Sequence, residues 1–278
     1  MVVALALVAA LIAGSADYLG GRASVRHDSL RVGFFSQLTS VLLLPIFAFA
    51  IGWQHLHGGD VLLGLVGGAA GGSASIVFFR GLAGGRMSVV APLAALTTAL
   101  VPVAVDLVTG VSLSGGRWAG IALALLAIPA LAFRRDDGIG SLTLRDEVVS
   151  AVVAGAGFAV FFMAVGHTST ESGAWPVVFA GVGGTATVGA LCTLRRVPII
   201  ARPPRLAVIA GMLMAASALA INHALQLGPI AVATVLGSLY PLATTALANR
   251  FDHEPVSRLN VAGVVLAVAG AALIAVSG

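Results

Sequence analysis

The sequence predicts an all-α membrane protein whose ten transmembrane helices form two inverted five-helix repeats around a central cavity. Three observations support this prediction: scarce charge, long apolar segments and a weak internal repeat. Apolar residues occupy 59% of the 278 positions, charged residues 9%, and the mean hydropathy is +1.04. Because a soluble domain carries about 25% charged residues, this chain is built for lipid. A β-barrel would alternate apolar and polar residues, whereas these segments are continuously apolar.

A membrane-spanning helix needs about 20 mostly apolar residues. Ten segments meet this requirement, and short breaks rich in glycine, proline or charge separate them. The segments are 2–22, 30–52, 61–83, 87–109, 117–133, 147–166, 174–194, 206–227, 229–249 and 258–277. The first segment lacks a positive n-region, so we do not expect a cleaved signal peptide. No loop is long enough for a soluble domain, so we expect the activity to lie within the bilayer.

The distribution of arginine predicts the orientation. The chain has no lysine, and its 15 basic residues are all arginines. Apart from Arg80, they lie in the odd-numbered loops or at the segment ends beside these loops, and Arg117 alone belongs to an even-numbered loop. We expect the protein in the cell membrane, which is the inner membrane in cells that have two. By the positive-inside rule, the odd loops are cytoplasmic and both termini lie on the extracytoplasmic side. Arginines spread over short loops mark membrane orientation, and they do not form a basic face for nucleic acid.

The second half of the chain weakly repeats the first. At an offset of 143 positions, residues 80–128 align with 223–271 without a gap, and ten of the 49 positions are identical. The biased composition alone would give about five identities, so the match is suggestive of a repeat. Five spans in each half are an odd number, so the halves must be inverted relative to each other. Inverted repeats with a site at their interface are a transporter architecture.

Short motifs resemble a known family. In the last third they are Ala224-Leu225, Gly228-Pro229, Pro241, Glu254-Pro255-Val256-Ser257 and Gly263, and at the first helix Gly14 to Tyr18. This pattern resembles the repeat signature of the EamA-type drug/metabolite transporters. The first half departs from it, with Val111 in place of Glu254 and Thr98 opposite Pro241. The resemblance implies EamA-like repeats at 1–135 and 146–278 around a cavity that moves small metabolites by alternating access.

Ionisable side chains within membrane spans are costly and are therefore candidates for function. We expect two gating pairs, Asp17 with Arg80 at the cytoplasmic mouth and Asp106 with His223 at the outer mouth, with Asn222 beside His223 also needing a partner. The alternative for the first pair is interfacial placement, in which Arg80 extends its charged end to water. A titrating histidine or aspartate would allow proton coupling.

Aromatic and amide side chains are candidates for the substrate site: Tyr18, Gln37, Trp175 and Tyr240. Trp175 at the start of a span favours an interfacial anchor. Pro241, next to Tyr240, predicts a helix discontinuity, and with Pro92 and Pro102 it marks the fourth and ninth spans as cavity-lining. A proline kink that serves only packing is the alternative. The glycines between Gly64 and Gly72 have the spacing of close helix contacts.

The leading hypothesis is a secondary transporter of small organic metabolites such as amino acids or drugs. Export is the expected direction of transport. The runner-up is an intramembrane enzyme acting on lipid or peptide, for which Asp106 with His223 would be the only pair and no nucleophile accompanies it. No P-loop or metal-ligand spacing occurs. We therefore expect a small-molecule substrate, the lipid bilayer and a proton as candidate coupling ion, a functional monomer, and no cofactor or nucleic acid.

Overall fold

The computed structural model is all-helical throughout the residues that it describes, which are 1–51, 55–84, 87–110, 113–131, 143–199, 202–252 and 257–277. The helices are α1 Val2–Arg26, α2 Ser29–Ile51, α3 Gly58–Gly84, α4 Met87–Thr109, α5 Gly115–Leu131, α6 Leu144–Gly166, α7 Trp175–Leu194, α8 Arg205–Leu227, α9 Ile230–Gly237, α10 Pro241–Asp252 and α11 Arg258–Val276. A single 3₁₀ turn, Thr170–Ser172, joins α6 to α7. Glu254 and Val111 lie outside the described residues.

The prediction of a polytopic helical membrane protein is confirmed. Within the described residues, seven helical spans are long and apolar enough to cross a membrane, and three shorter apolar helices accompany them. Each predicted segment coincides with one helix, except the ninth, which α9 and α10 share. The first span is longer than predicted and ends at Arg26. Helix geometry continues past Arg22 because no glycine-proline break or helix-stopping turn follows until His27-Asp28.

Close backbone contacts hold α3 between α6 and α7. The glycines of α3 form this contact: a methyl group on Gly68 would overlap the carbonyl of Ala180, and one on Gly67 would meet Ala164. Helix α8 lies in the same way between α1 and α2, where Gly211 approaches the carbonyl of Ser36. In a bilayer, small residues allow such close packing, and dispersion contacts then replace the hydrophobic effect as the main attraction.

Two threonines join helices in equivalent ways. The hydroxyl of Thr98 in α4 donates to the carbonyl of Gly155 in α6 across 3.1 Å. The hydroxyl of Thr244 in α10 donates to the carbonyl of Gly14 in α1 across 3.0 Å. Each hydroxyl also contacts the carbonyl four residues before it in its own helix. Thr98 is therefore the counterpart of Thr244, and the sequence alignment that set Thr98 opposite Pro241 is wrong by three residues.

The second half is three residues longer than the first over the interval that contains the break between α9 and α10. Gly211 and Tyr240 are 29 positions apart, whereas their counterparts Gly68 and Ala94 are 26 apart. The difference is three residues, and the turn Ser238-Leu239-Tyr240, which separates the two half-helices, ends this interval. Helix α4 is continuous over Met87–Thr109. The predicted discontinuity therefore exists in the second half only.

Both chain termini lie at the same end of the bundle, which we call the terminal end. Ser114, before α5, donates its hydroxyl to the carbonyl of Ser277 across 2.9 Å. At the N-terminus, Val2 contacts Gly228, between α8 and α9. At the opposite end, the guanidinium of Arg31 donates to the carbonyl of Arg202 across 2.7 Å. Arg26, Arg31 and Arg202, of the first and seventh loops, thus lie at the end away from the termini.

Candidate functional site

A central cavity of about 150 Å³ lies where the two halves of the chain meet. Helices α1, α2, α3 and α4 of the first half and α6, α7, α8 and α9 of the second contribute to its wall, together with Tyr240 in the break. Most of the wall is made of alanine, glycine, leucine and phenylalanine. Its charged and polar side chains are Asp17, Gln37, Ser40, Ser75, Thr98, Ser217 and Tyr240.

Asp17 is the only charged residue in this wall, among the residues that the structure describes. Its side chain is 6% exposed, and no hydrogen bond or ion pair to it occurs within the described residues. It lies nine residues before the end of α1, which is about 14 Å along a helix. A buried carboxylate without a partner is costly, so its placement on a cavity indicates a ligand, a water or a proton.

Most hydroxyl groups of the wall are already used as donors. Ser75 donates to the carbonyl of Gly71 at 2.9 Å, and Thr98 to that of Ala94 at 2.8 Å. Ser217 on α8 donates to the carbonyl of Ala9 on α1 at 2.9 Å. These bonds satisfy backbone or side-chain groups that lipid and an apolar cavity would leave unpaired. Only Ser217, and Thr98 through its second contact with Gly155, also join neighbouring helices, but none of the three hydroxyls is a free donor for a ligand.

The break between α9 and α10 opens onto the cavity through Gly237 and Tyr240. In a continuous helix the carbonyl of Gly237 would accept from the N–H of residue 241, but Pro241 has none. No described residue donates to this carbonyl instead. The hydroxyl of Tyr240 donates to the carbonyl of Ala91 across 3.3 Å, and its ring meets Phe78 edge-on. The predicted discontinuity at Tyr240 therefore contributes both a free carbonyl and an aromatic ring.

Arg80 lies elsewhere. Its side chain is exposed, one turn before the end of α3, and it does not line the cavity. No ion pair joins it to Asp17 in the described structure, so the expected inner pair is not formed. The reason is the rotation of α3: Phe79 packs against Gly20 of α1, and Arg80, the next residue, points about 100° away from this contact. The exposed guanidinium agrees with interfacial placement.

The expected outer pair is not formed either. The carboxylate of Asp106, 6% exposed, accepts from the backbone N–H of Ala231 across 3.3 Å. His223 is exposed and makes no hydrogen bond or ion pair with the described residues. Its neighbour Asn222 is buried and donates to the carbonyl of Gly173 across 2.9 Å. Consecutive helical residues point about 100° apart, so these two side chains cannot face the same partner.

Tyr18 is buried but does not line the cavity. The guanidinium of Arg22, one turn later in α1, donates to its hydroxyl across 2.9 Å and lies over its ring. The ring stacks on Phe251 of α10 with 6.4 Å between centroids. Tyr18 therefore joins α1 to α10 on the side of α1 away from the site.

Sequence reasoning missed the aromatic part of the wall. Phe158, Phe161 and Phe162 of α6 line the cavity, and the ring of Phe162 lies beside Gly237 of the second-half break. Three of the chain's 12 phenylalanines fall within five consecutive positions there, which was the available signal. Gly237 was also missed, because a single glycine in an apolar helix has no distinguishing pattern. Among the described residues, no three His, Cys, Asp or Glu side chains cluster as a metal site would require.

Comparison with known proteins assigns the two halves of the chain to the same family model. The model of the EamA-like transporter family matches residues 1–133 and 147–276. No curated protein sequence matches the chain. Among solved structures 24 chains are similar, and one titled "Crystal structure of protein" is 19% identical with a TM-score of 0.72 over 96% of each chain. At that identity the likeness shows a shared fold alone.

Proposed function

The chain belongs to the EamA-like transporter family, and from this premise we propose that it exports small organic solutes by alternating access. The observation that supports the proposal most directly is the cavity between the two halves, with Asp17 as its only charged wall residue within the described structure. Secondary transporters built from repeats bind their substrates near the middle of the bilayer, at the interface between the repeats.

The proposed halves are 1–135 and 146–278, inverted relative to each other. The helix contacts support two related halves if α1, α2 and α3 correspond to α6, α7 and α8. The pair α3–α6 then has its counterpart in α8–α1, and the pair α3–α7 has its counterpart in α8–α2. In the pairs α2–α7 and α5–α11, each helix packs against the equivalent helix of the other half. Alternating access would then be a rocking of these halves around the cavity.

The proposed orientation places the terminal end outside the cell. Arg26, Arg31 and Arg202 lie at the opposite end, and the positive-inside rule assigns the end that carries such arginines to the cytoplasm. In this arrangement Asp17 and Tyr240 belong to the substrate site. Asp106 and Asn222 would gate its outer side, while Arg80 and His223 would enter gating contacts only in another conformation. A proton is the proposed coupling ion, and the monomer is the proposed functional unit.

Nothing in the described structure favours the intramembrane enzyme. Asp106 and His223, the only pair considered for it, share no hydrogen bond, and Asp106 instead bonds the start of α9. The cavity wall also lacks the combination of a nucleophile with an adjacent base among its described residues.

The test is flux in proteoliposomes made with the purified protein. Radiolabelled amines, amino acids, nucleosides and drugs are loaded inside or outside, with and without a proton gradient. We expect at least one class to move faster than in protein-free vesicles, and Asp17→Asn to reduce that flux at least tenfold. The matched control is Asp60→Asn, a buried carboxylate bonded to Ser172 away from the cavity. Absence of flux for every class, in both directions, would contradict the proposal.

A further inference from the structure

We propose that the central cavity binds small organic cations, namely ammonium compounds with an apolar body, and that the Asp17 carboxylate is their counter-ion. The inference rests on the proposed transport function and names its substrate class. Three features of the cavity support it: the sign of its charge, the unwound segment in its wall and the aromatic rings beside them.

The first feature is an unbalanced negative charge. Among the described wall residues Asp17 alone carries charge, and no arginine or histidine lines the cavity with it. Arg80, the basic side chain expected beside it, is exposed at the end of α3. A carboxylate removed from water is strongly stabilised by a cation that enters the same space. The ligand that completes this site is therefore positive.

The second feature is the negative end of a half-helix. Helix α9 ends at Gly237 on the cavity, and Pro241 leaves the Gly237 carbonyl without a helical donor. The next residue, Ser238, has a buried hydroxyl without a hydrogen-bond partner in the described structure. Helix C-termini carry about half a negative charge, and unwound carbonyls of transporters bind cations. Helix α10 begins at Pro241 and brings its own positive end to the same turn, so the contribution of the break is the unbonded Gly237 carbonyl, an acceptor for a cation.

The third feature is the aromatic wall. Phe158, Phe161 and Phe162 line the cavity from α6, and Tyr240 does so from the break. The faces of aromatic rings attract cations, and quaternary ammonium groups are commonly held this way. The same rings provide apolar surface for the rest of the ligand. An inorganic cation would use the oxygens but gain nothing from this apolar area.

The cavity wall has few free hydrogen-bond donors, and this argues against anions and zwitterions as ligands. Ser75, Thr98 and Ser217 already donate to backbone carbonyls. This leaves the amide of Gln37 and the hydroxyl of Ser40 as the uncommitted donors of the described wall. A substrate carboxylate would meet these two neutral groups and no cation, next to the repelling carboxylate of Asp17. Amino acids with a free carboxylate are therefore disfavoured relative to the corresponding amines.

The volume limits ligand size. A cavity of about 150 Å³ is close to the size that accommodates one benzene ring in a protein interior. In this conformation the cavity therefore has room for about one ring, and a ring that carries an ammonium group requires the cavity to widen.

The first test compares ligands of different charge on the unaltered protein. Isothermal titration calorimetry of the purified chain in detergent would use benzyltrimethylammonium, phenylalanine and benzoate, which share one ring and differ in charge. We expect the affinity to fall in that order, with at least a tenfold gap between the cation and the zwitterion. Equal or tighter binding of phenylalanine or benzoate would overturn the proposal. This comparison needs no variant to fold.

The second test removes the charge. Asp17→Asn keeps the shape of the side chain and is expected to weaken benzyltrimethylammonium at least about 30-fold, as loss of one partner of a buried charge pair does. Asp17→Glu should retain affinity within tenfold, and the control Asp60→Asn should retain it fully. Unchanged affinity in folded Asp17→Asn would overturn the counter-ion role.

Failure of this inference is distinguishable from failure of the transport function. Proteoliposomes that move neutral or anionic solutes but no cations would overturn the substrate class and leave the transporter intact. Proteoliposomes that move no solute of any charge would overturn both.

Discussion

The carboxylate of Asp106, near the end of α4, accepts a hydrogen bond from the backbone N–H of Ala231, in the first turn of α9, across 3.3 Å. The two residues are 125 positions apart and belong to opposite halves of the chain. The first N–H groups of a helix have no partner within it, and α9 begins after Pro229 without a side-chain cap of its own. Asp106 therefore supplies from the first half the cap that the second half lacks.

Removing this cap should destabilise the protein. Asp106→Ala is expected to lower the free energy of unfolding by about 1–2 kcal/mol, since a helix cap contributes about that amount and a carboxylate also favours the positive helix end. Asp106→Asn, which keeps the acceptor oxygen, should lose less. The measurement is thermal unfolding in detergent. The control is Thr109→Val, whose hydroxyl bonds only within α4. Equal melting of Asp106→Ala and wild type would show that the bond contributes nothing.

The contact of α3 with α7 predicts a strong effect of one methyl group. Gly68→Ala would place a carbon atom against the carbonyl of Ala180, so the helices must separate. We expect a loss of about 2 kcal/mol or more, as for overpacking in a tight core. Gly59→Ala, in the first turn of the same helix, meets no atom within 4 Å and should leave the melting temperature unchanged. Similar melting of the two variants would refute this packing.

The paired threonines test the corrected alignment of the two halves. Thr98→Val and Thr244→Val each remove one interhelical bond to a glycine carbonyl. We expect each to cost about 0.6 kcal/mol, the average for such bonds in a membrane protein, and the losses to add. Thr97→Val, whose hydroxyl bonds only to Leu93 in its own helix, is the control. A cost at one threonine and none at the other would argue against their equivalence.

The helix break predicts a separation of activity from stability. Pro241→Ala returns an N–H to the position that would bond Gly237, which favours a continuous helix and withdraws the free carbonyl from the cavity. Flux should fall at least tenfold while the melting temperature stays level or rises. Pro45→Ala, within α2 and away from the cavity wall, is the matched control for flux. Flux that survives Pro241→Ala would show that the carbonyl is dispensable.

The same structural relationships show how far sequence reasoning reached at the site. Asp17 and Tyr240 were predicted from an intramembrane charge and a mid-helix proline, and both line the cavity. Tyr18 was predicted with them but faces Phe251, because adjacent helical residues diverge by about 100°. The partners of Asp106 and Asn222 are backbone groups, at Ala231 and Gly173. A backbone partner leaves no trace in residue type, so composition and spacing could not identify it.

By itself, the sequence determined the membrane environment, the approximate bounds of the apolar helices and the family. Lipid excludes charge and requires every backbone group to be bonded within a helix, so apolar length alone specifies a span. The tertiary structure decided which polar residues meet. It set the rotation of each helix, the three-residue turn at Ser238 to Tyr240 and the isolation of Asp17 in the cavity. Those outcomes depend on how glycine-rich faces of distant helices pack across the bundle, and no local pattern of residues specifies that geometry.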